Sequence, residues 1–305
     1  STDVLFSGSE DKTVRIWDHR TSRAVKGIRG FASEITALQP INDHDLVVAS
    51  DTALLIYDCR ALGVVAQASE YATHVNVGSV EAIATRGDFV AFVNDDGHLS
   101  VFDCDEETVT KFSGAHDTMA SCVAFHPDDP KIASGGFDMH MFVWDMASET
   151  VVHRIPPTPG TGETGNSVNP PFVYALQFAP VEGTPIVAGY ANGSIMSFEE
   201  TTGRSVCWLD CHAYSISDLA FVPSNPERLV TVGLDCMLKV WDADELLMPN
   251  VVDAEDPMQV VLEGDPPLVA AAGLVSKPDT LAIAQESTDM YIGQDIDIAI
   301  YTLVE

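Results

Sequence analysis

Apolar and polar residues alternate along this chain in short runs. Stretches such as LVVAS, FVAFV, IVAGY and LVTVG each meet a turn rich in Gly, Asp or Asn. A second alternating run follows and ends in an aromatic residue and an acid. Period-two alternation broken by such turns predicts β-strands. No sustained helical period appears, so the chain reads as all-β with little helix. In the second runs, Val14, Ile16, Phe142 and Trp144 point one way, and Arg15 and Val143 the other, as sheets packed between neighbours require. Between these pairs lie further alternating strands, such as Ile35-Thr36-Ala37-Leu38 and Cys122-Val123-Ala124-Phe125.

The paired runs repeat. LFSGSEDKTVRIWD, IASGGFDMHMFVWD and LVTVGLDCMLKVWD end at Asp18, Asp145 and Asp242. Weaker copies end at Asp58, Asp103 and Glu199, and a seventh, TLAIAQ followed by DIAIYTL, ends near Tyr301. The first six endings fall at positions 18, 58, 103, 145, 199 and 242, a regular interval stretched once, before Glu199. Two inserts interrupt the pattern: residues 156–171, rich in Pro, Gly and Thr, and the acidic residues 243–265, which read either as disordered or as holding an outer strand at Gln259–Leu262. A strand-rich repeat of this length with Trp-Asp endings resembles the WD40-repeat family. That resemblance covers residues 1–305 as one domain and implies a seven-bladed β-propeller. Seven second and seven third strands can be read, but only six inner first strands. The expectation is that N-terminal strands of the first blade lie upstream of Ser1.

The resemblance also assigns structural roles. A hydroxyl stands ten residues, and an aspartate six, before each tryptophan: Ser7, Asp11 and Trp17; Ser134, Asp138 and Trp144; Thr231, Asp235 and Trp241. His116 precedes Trp144, His212 precedes Trp241 and His74 precedes Phe102 by one shared interval, equal to within a single position. In the family such residues form a buried chain of hydrogen bonds within a blade. That role argues against reading Ser, His and Asp here as a hydrolytic triad.

Composition narrows the function. Against 46 acidic residues stand 15 basic ones, a formal charge of −31. Phosphate affinity comes from Lys and Arg, so direct binding to nucleic acid or anionic membrane is not expected. The charge is uneven, because the segment from Ser1 to Arg29 is net +2 and all that follows carries −33. Six cysteines without paired CxxC spacing suggest reduced thiols in a cytoplasmic or nuclear protein. The motif expected of a P-loop, a zincin or a serine hydrolase is missing, and no cofactor, metal or catalytic residue is expected. Cys207, Cys211 and His212 form a weak metal motif, since His212 already has a blade role.

Trp17-Asp18-His19-Arg20 is the most informative segment. It resembles the WD-box of substrate receptors of the cullin-four ubiquitin ligase, which dock through the adaptor damaged-DNA-binding protein one. Val4-Leu5-Phe6, Ser7-Gly8-Ser9, Asp11, Val14 and Ile16 fit the longer box, and Tyr57-Asp58-Cys59-Arg60 repeats its end. The resemblance implies that Trp17, Asp18, Arg20, Asp58 and Arg60 meet an adaptor on one face. The expected function is thus a non-catalytic interaction scaffold, a monomeric propeller with protein partners. The alternative is an acidic chaperone or assembly adaptor for a basic client, such as a ribosomal protein or histone.

Overall fold

The computed structural model describes residues 4–18, 21, 23–42, 44–70, 72–157, 170–181, 183–247, 259–262, 266–274, 280–283, 289–294 and 297–302. The first sheet is built from β1 (Val4–Gly8), β2 (Thr13–Asp18) and β3 (Arg23–Arg29), all antiparallel. The second begins with β4 (Ile35–Pro40), β5 (Asp45–Ser50) and β6 (Ala53–Asp58). Before that sheet is finished the chain crosses back. β7 (Val65–Gln67) pairs in parallel with β3, and β8 (Ala72–Asn76) returns to β6.

The third and fourth sheets are plain four-stranded meanders. They comprise β9 (Ala82–Arg86), β10 (Phe89–Val93), β11 (Leu99–Asp103) and β12 (Thr108–Lys111), then β13 (Ala120–Phe125), β14 (Lys131–Gly136), β15 (Met141–Asp145) and β16 (Thr150–Ile155). The fifth holds β17 (Val173–Phe178), β18 (Ile186–Tyr190), β19 (Ile195–Glu199) and β20 (Arg204–Trp208). In the sixth, β21 (Ile216–Val222), β22 (Asn225–Gly233) and β23 (Met237–Asp242) lead to a short helix, α1 (Ala243–Leu247). β24 (Gln259–Leu262) then adds a parallel fifth strand to β20, and β25 (Leu268–Gly273) completes the sixth sheet. β26 (Thr280–Ile283), β27 (Asp289–Gln294) and β28 (Asp297–Thr302) form the seventh.

Seven sheets in sequence order, with β1, β4, β9, β13, β17, β21 and β26 packing each against the next, follow the blade order of a seven-bladed β-propeller. The third strands end at the predicted acids for a physical reason. Asp145 accepts from the N–H groups of Ala147 (2.6 Å) and Ser148 (3.0 Å), and Asp103 from those of Asp105 (2.9 Å) and Glu106 (3.1 Å). Each carboxylate thus stops its strand and starts the turn to the fourth.

The core lies between sheets. Val14, Ile16 and Ile28 pack against Leu46, Val48 and Tyr57, while Phe142 and Trp144 pack against Val93 and Val101. Val143, on the other side of β15, is equally buried, against Val173 and Ile186 of the next sheet. Arg15 is exposed. A sheet between two neighbours buries both faces, which alternation alone does not distinguish from one.

In the seventh unit TLAI does not pair directly with DIAIYT. β27 lies between them, so TLAI takes the first-strand place and packs on β21. In the first sheet β1 takes the second-strand place, as β14 does in the fourth, and no inner first strand of that sheet is among the described residues. Of the inserts, residues 158–169, 248–258 and 263–265 lie outside the described residues; the remainder of 243–265 contains α1 and the outer strand β24.

Candidate protein-interaction surface

Antiparallel order gives the array two faces. On the front face first strands begin and second strands end; on the rear face third strands end. Rigid presentation of either face depends on how each sheet is locked at its front end. In the fourth sheet Trp144 Nε1–H donates to Ser134 Oγ (2.8 Å), which lies 2.8 Å from His116 Nε2. His116 Nδ1 lies 2.9 Å from Asp138, and Asp138 also accepts from the N–H groups of Asp117 and His140 (both 3.1 Å). The sixth sheet repeats the chain: Trp241 to Thr231 (2.8 Å), Thr231 to His212 (2.7 Å), His212 to Asp235 (3.0 Å).

The proton positions follow from this geometry. An aspartate beside Nδ1 keeps the proton there, leaving Nε2 to accept from the hydroxyl, whose oxygen in turn accepts the indole N–H. Burial works to raise the carboxyls of Asp138 and Asp235, but hydrogen bonds from His116 and His212 and from backbone amides bring both below the usual 3.8. Ser134 and Thr231 are wholly buried with their oxygens engaged, so neither is open to a substrate. Gly136 and Gly233 permit the approach. A Cβ at Gly136 would come within 2.8 Å of His116 Nδ1, and one at Gly233 within 2.5 Å of His212 Nδ1.

Two predicted network members behave differently. Trp17 donates to Ser7 (2.8 Å), but Asp11 accepts from Thr13 (2.6 Å) and Arg15 (3.2 Å) rather than from a histidine. The Thr13 hydroxyl is the main cause holding the Asp11 carboxyl low. The expected role of His74 is corrected. Its backbone lies on β8 opposite Leu55, not in the connection before a first strand, and β10 presents Phe92 where a hydroxyl is needed. Its side chain lies outside the described residues.

On the rear face Asp58 grips Arg60 at two points, Nε to Oδ1 and Nη2 to Oδ2, both 2.9 Å, and also accepts the Arg60 N–H at 2.9 Å. Hydrogen bonds from Arg60 are the main cause holding the Asp58 carboxyl at about 2. The Arg60 side chain remains 64% exposed. Lys26, on β3, donates to the Cys59 carbonyl (2.8 Å), so the outer part of the first sheet is tied to the segment that carries Arg60. Sequence spacing did not reveal this tie; the basic run 12–29 was its only trace. Asp18 is placed opposite Val4 and Arg23 and accepts from the Thr21 N–H (3.3 Å). Arg20 and His19 lie outside the described residues.

Among the described residues no cluster of three or more His, Cys, Asp or Glu side chains is placed to hold a metal ion. Both nitrogens of His212 are occupied, and the Cys211 thiol is directed to the Trp208 carbonyl (3.4 Å). All six cysteines are free, and burial pushes the thiols of Cys122 and Cys211 up to about 12. Among the described residues no helix is long and apolar enough to cross a membrane.

Comparison with known proteins agrees with the repeats. Residues 1–18, 106–145 and 203–242 match the WD domain, G-beta repeat model. The WD repeat-containing protein 53 homolog of Dictyostelium discoideum is 22% identical over 80% of this chain and 73% of its own length. The mitotic checkpoint protein bub3 of the same organism is 23% identical over 50% of the chain and 51% of its own length. The serine-threonine kinase receptor-associated protein of Bos taurus is 28% identical over 50% and 42%. The chain thus spans about half or less of the latter two.

Proposed function

We propose that this WD40-repeat chain, an interaction scaffold by its fold and relatives, recruits substrates to a cullin-four ubiquitin ligase through its rear face. The observation that carries the reading is the exposed Arg60 fork, held in place by Asp58 and braced by Lys26 of β3 through the Cys59 carbonyl. A guanidinium fixed by one carboxylate has lost most of its rotamer freedom before a partner arrives, and it still offers N–H groups outward. In the sequence, Tyr57-Asp58-Cys59-Arg60 repeats the end of the Trp17-Asp18-His19-Arg20 segment that resembles the WD-box. Docking of the adaptor there leaves the front face open to a client.

A pull-down tests this. Tagged wild-type chain is expected to retain damaged-DNA-binding protein one, and the Arg20→Ala/Arg60→Ala pair to lose most of it. Equal recovery by the two proteins sinks the adaptor reading. The acidic-client reading has its own support, the −33 carried by the chain beyond Arg29. It expects capture of basic proteins that falls as salt rises.

A further inference from the structure

We infer that the front face over sheets three to six binds an extended, arginine-rich segment of a partner protein, held by half-buried and exposed aromatic rings among carboxylates. The inference does not rest on rear-face docking; it concerns the opposite side of the molecule.

The internal repeats act as controls for one another. Four first strands carry a bulge at the same place, between residues 35 and 37, 120 and 122, 173 and 175, and 216 and 218. Three of the bulged residues are small hydroxyls donating to a carbonyl of the second strand: Thr36 to Ala49 (3.5 Å), Ser121 to Gly135 (3.3 Å) and Ser217 to Val232 (3.2 Å). The fourth is Tyr174, and it is 38% exposed. A serine serves the fold at this position in two sister sheets, so packing does not call for the ring.

Other rings gather around it. Phe137, in the turn after β14, stacks on Phe172 (4.9 Å between centroids, planes at 16°) and meets Tyr174 edge-on (5.4 Å, 66°). These rings sit where the chain makes a purely backbone contact in each sheet: Phe137 N–H to the Met119 carbonyl (2.9 Å), Ala191 N–H to the Phe172 carbonyl (2.8 Å), Leu234 N–H to the Ser215 carbonyl (2.8 Å). Alanine and leucine stand in the place of Phe137 elsewhere, and methionine and serine in that of Phe172. Tyr214, in the connection before β21, extends the row and is 60% exposed.

The charges around the rings select the partner. Asp95, Asp96 and Asp210 are exposed at this end, as is Asp117. Two cations near the rings are already engaged, Arg154 by Asp117 (2.6 Å) and Lys239 by the Cys211 carbonyl. A guanidinium suits both features, since its plane stacks on a ring while its edge donates to a carboxylate. Rings and acids spread over four sheets fit an extended segment rather than one compact group.

The test uses the whole chain with fluorescent nona-arginine and nona-lysine peptides at about 150 mM salt. Wild type is expected to prefer the arginine peptide. Tyr174→Ser, the residue of the sister sheets, is expected to weaken arginine binding roughly three- to tenfold and erase the preference, while Tyr174→Phe keeps it. Asp96→Asn, on an exposed turn position, is expected to weaken both peptides. Arg60→Ala is expected to change neither, which separates this result from adaptor docking. Equal affinity for the two peptides, or unchanged arginine binding by Tyr174→Ser with an unaltered unfolding midpoint, overturns the inference in favour of diffuse charge attraction.

Discussion

Ser134 and Thr231 each join an indole N–H to an imidazole in a space closed to water, and their neighbours have no alternative partner. Ser134→Ala and Trp144→Phe are each expected to cost about 1–3 kcal/mol, read from urea unfolding, because a buried donor or acceptor is left unpaired. Their double variant is expected to cost clearly less than the two effects added, as members of one network do. Gly136→Ala and Gly233→Ala are expected to destabilise as well, since the new Cβ presses on an imidazole pinned by its aspartate. This network was legible in the fixed offsets of hydroxyl, aspartate and histidine from each tryptophan. His74 met the histidine offset and still sits on a strand, because a count of residues does not register where a connection ends. The better signal was glycine two residues after the hydroxyl, at Gly136 and Gly233. Acid adds a second residue-scale test. His126 Nδ1 accepts from the N–H groups of Asp128 (3.1 Å) and Asp129 (2.8 Å), and burial holds its pKa below 6.5. As pH falls below 6.5 the unfolded chain takes this proton first, so stability declines until folded His126 titrates too. The contribution of Asp138 and Asp235 is intact above 3.8 and is lost as pH falls through their lower folded values. Unfolding midpoints measured from neutral pH downward are expected to show two declines, of which His126→Gln removes the first.

At the scale of elements, the outer rims of the sheets depart most from a simple repeat. β7 and β24 both leave the connection between a third and a fourth strand, and both pair in parallel with the outer strand of the preceding sheet. Each covers an edge that would otherwise present unpaired backbone groups. Val260 is buried opposite Val206, and nearby Trp208 donates to the Leu246 carbonyl (2.9 Å). Val260→Pro is expected to raise hydrogen exchange at residues 205–208 while leaving sheets one to four unchanged; exchange that rises evenly across all sheets contradicts a local covering role. Gln259–Leu262 was readable as one of two possibilities, an outer strand or disorder. β7 was not, because three residues carry no period and its pairing is set by a distant neighbour. The order of strands in the seventh unit was misread for a related reason. DMYIGQ lies between two clearer runs and has weak alternation, so its place became clear only from its pairing with both.

Over the whole molecule, the all-β class and the order of the first six units were legible because their third strands end in an acid. The faces were not, because neither the tie from Lys26 to Cys59 nor the meeting of Phe137 with Tyr174 has a short sequence spacing. Net charge also acquires a location: a basic first sheet with Arg60 beside it, and acids over the others. Long-range attraction then orients partners of opposite sign toward different parts of one scaffold. The most direct test of that scaffold is a calorimetric titration of the purified chain with purified damaged-DNA-binding protein one. The wild type is expected to bind at a single site, and Arg60→Ala and Arg20→Ala each to weaken it at least tenfold, about 1.4 kcal/mol, with unfolding midpoints unchanged. No binding by the wild type, or wild-type affinity in both variants, contradicts rear-face docking.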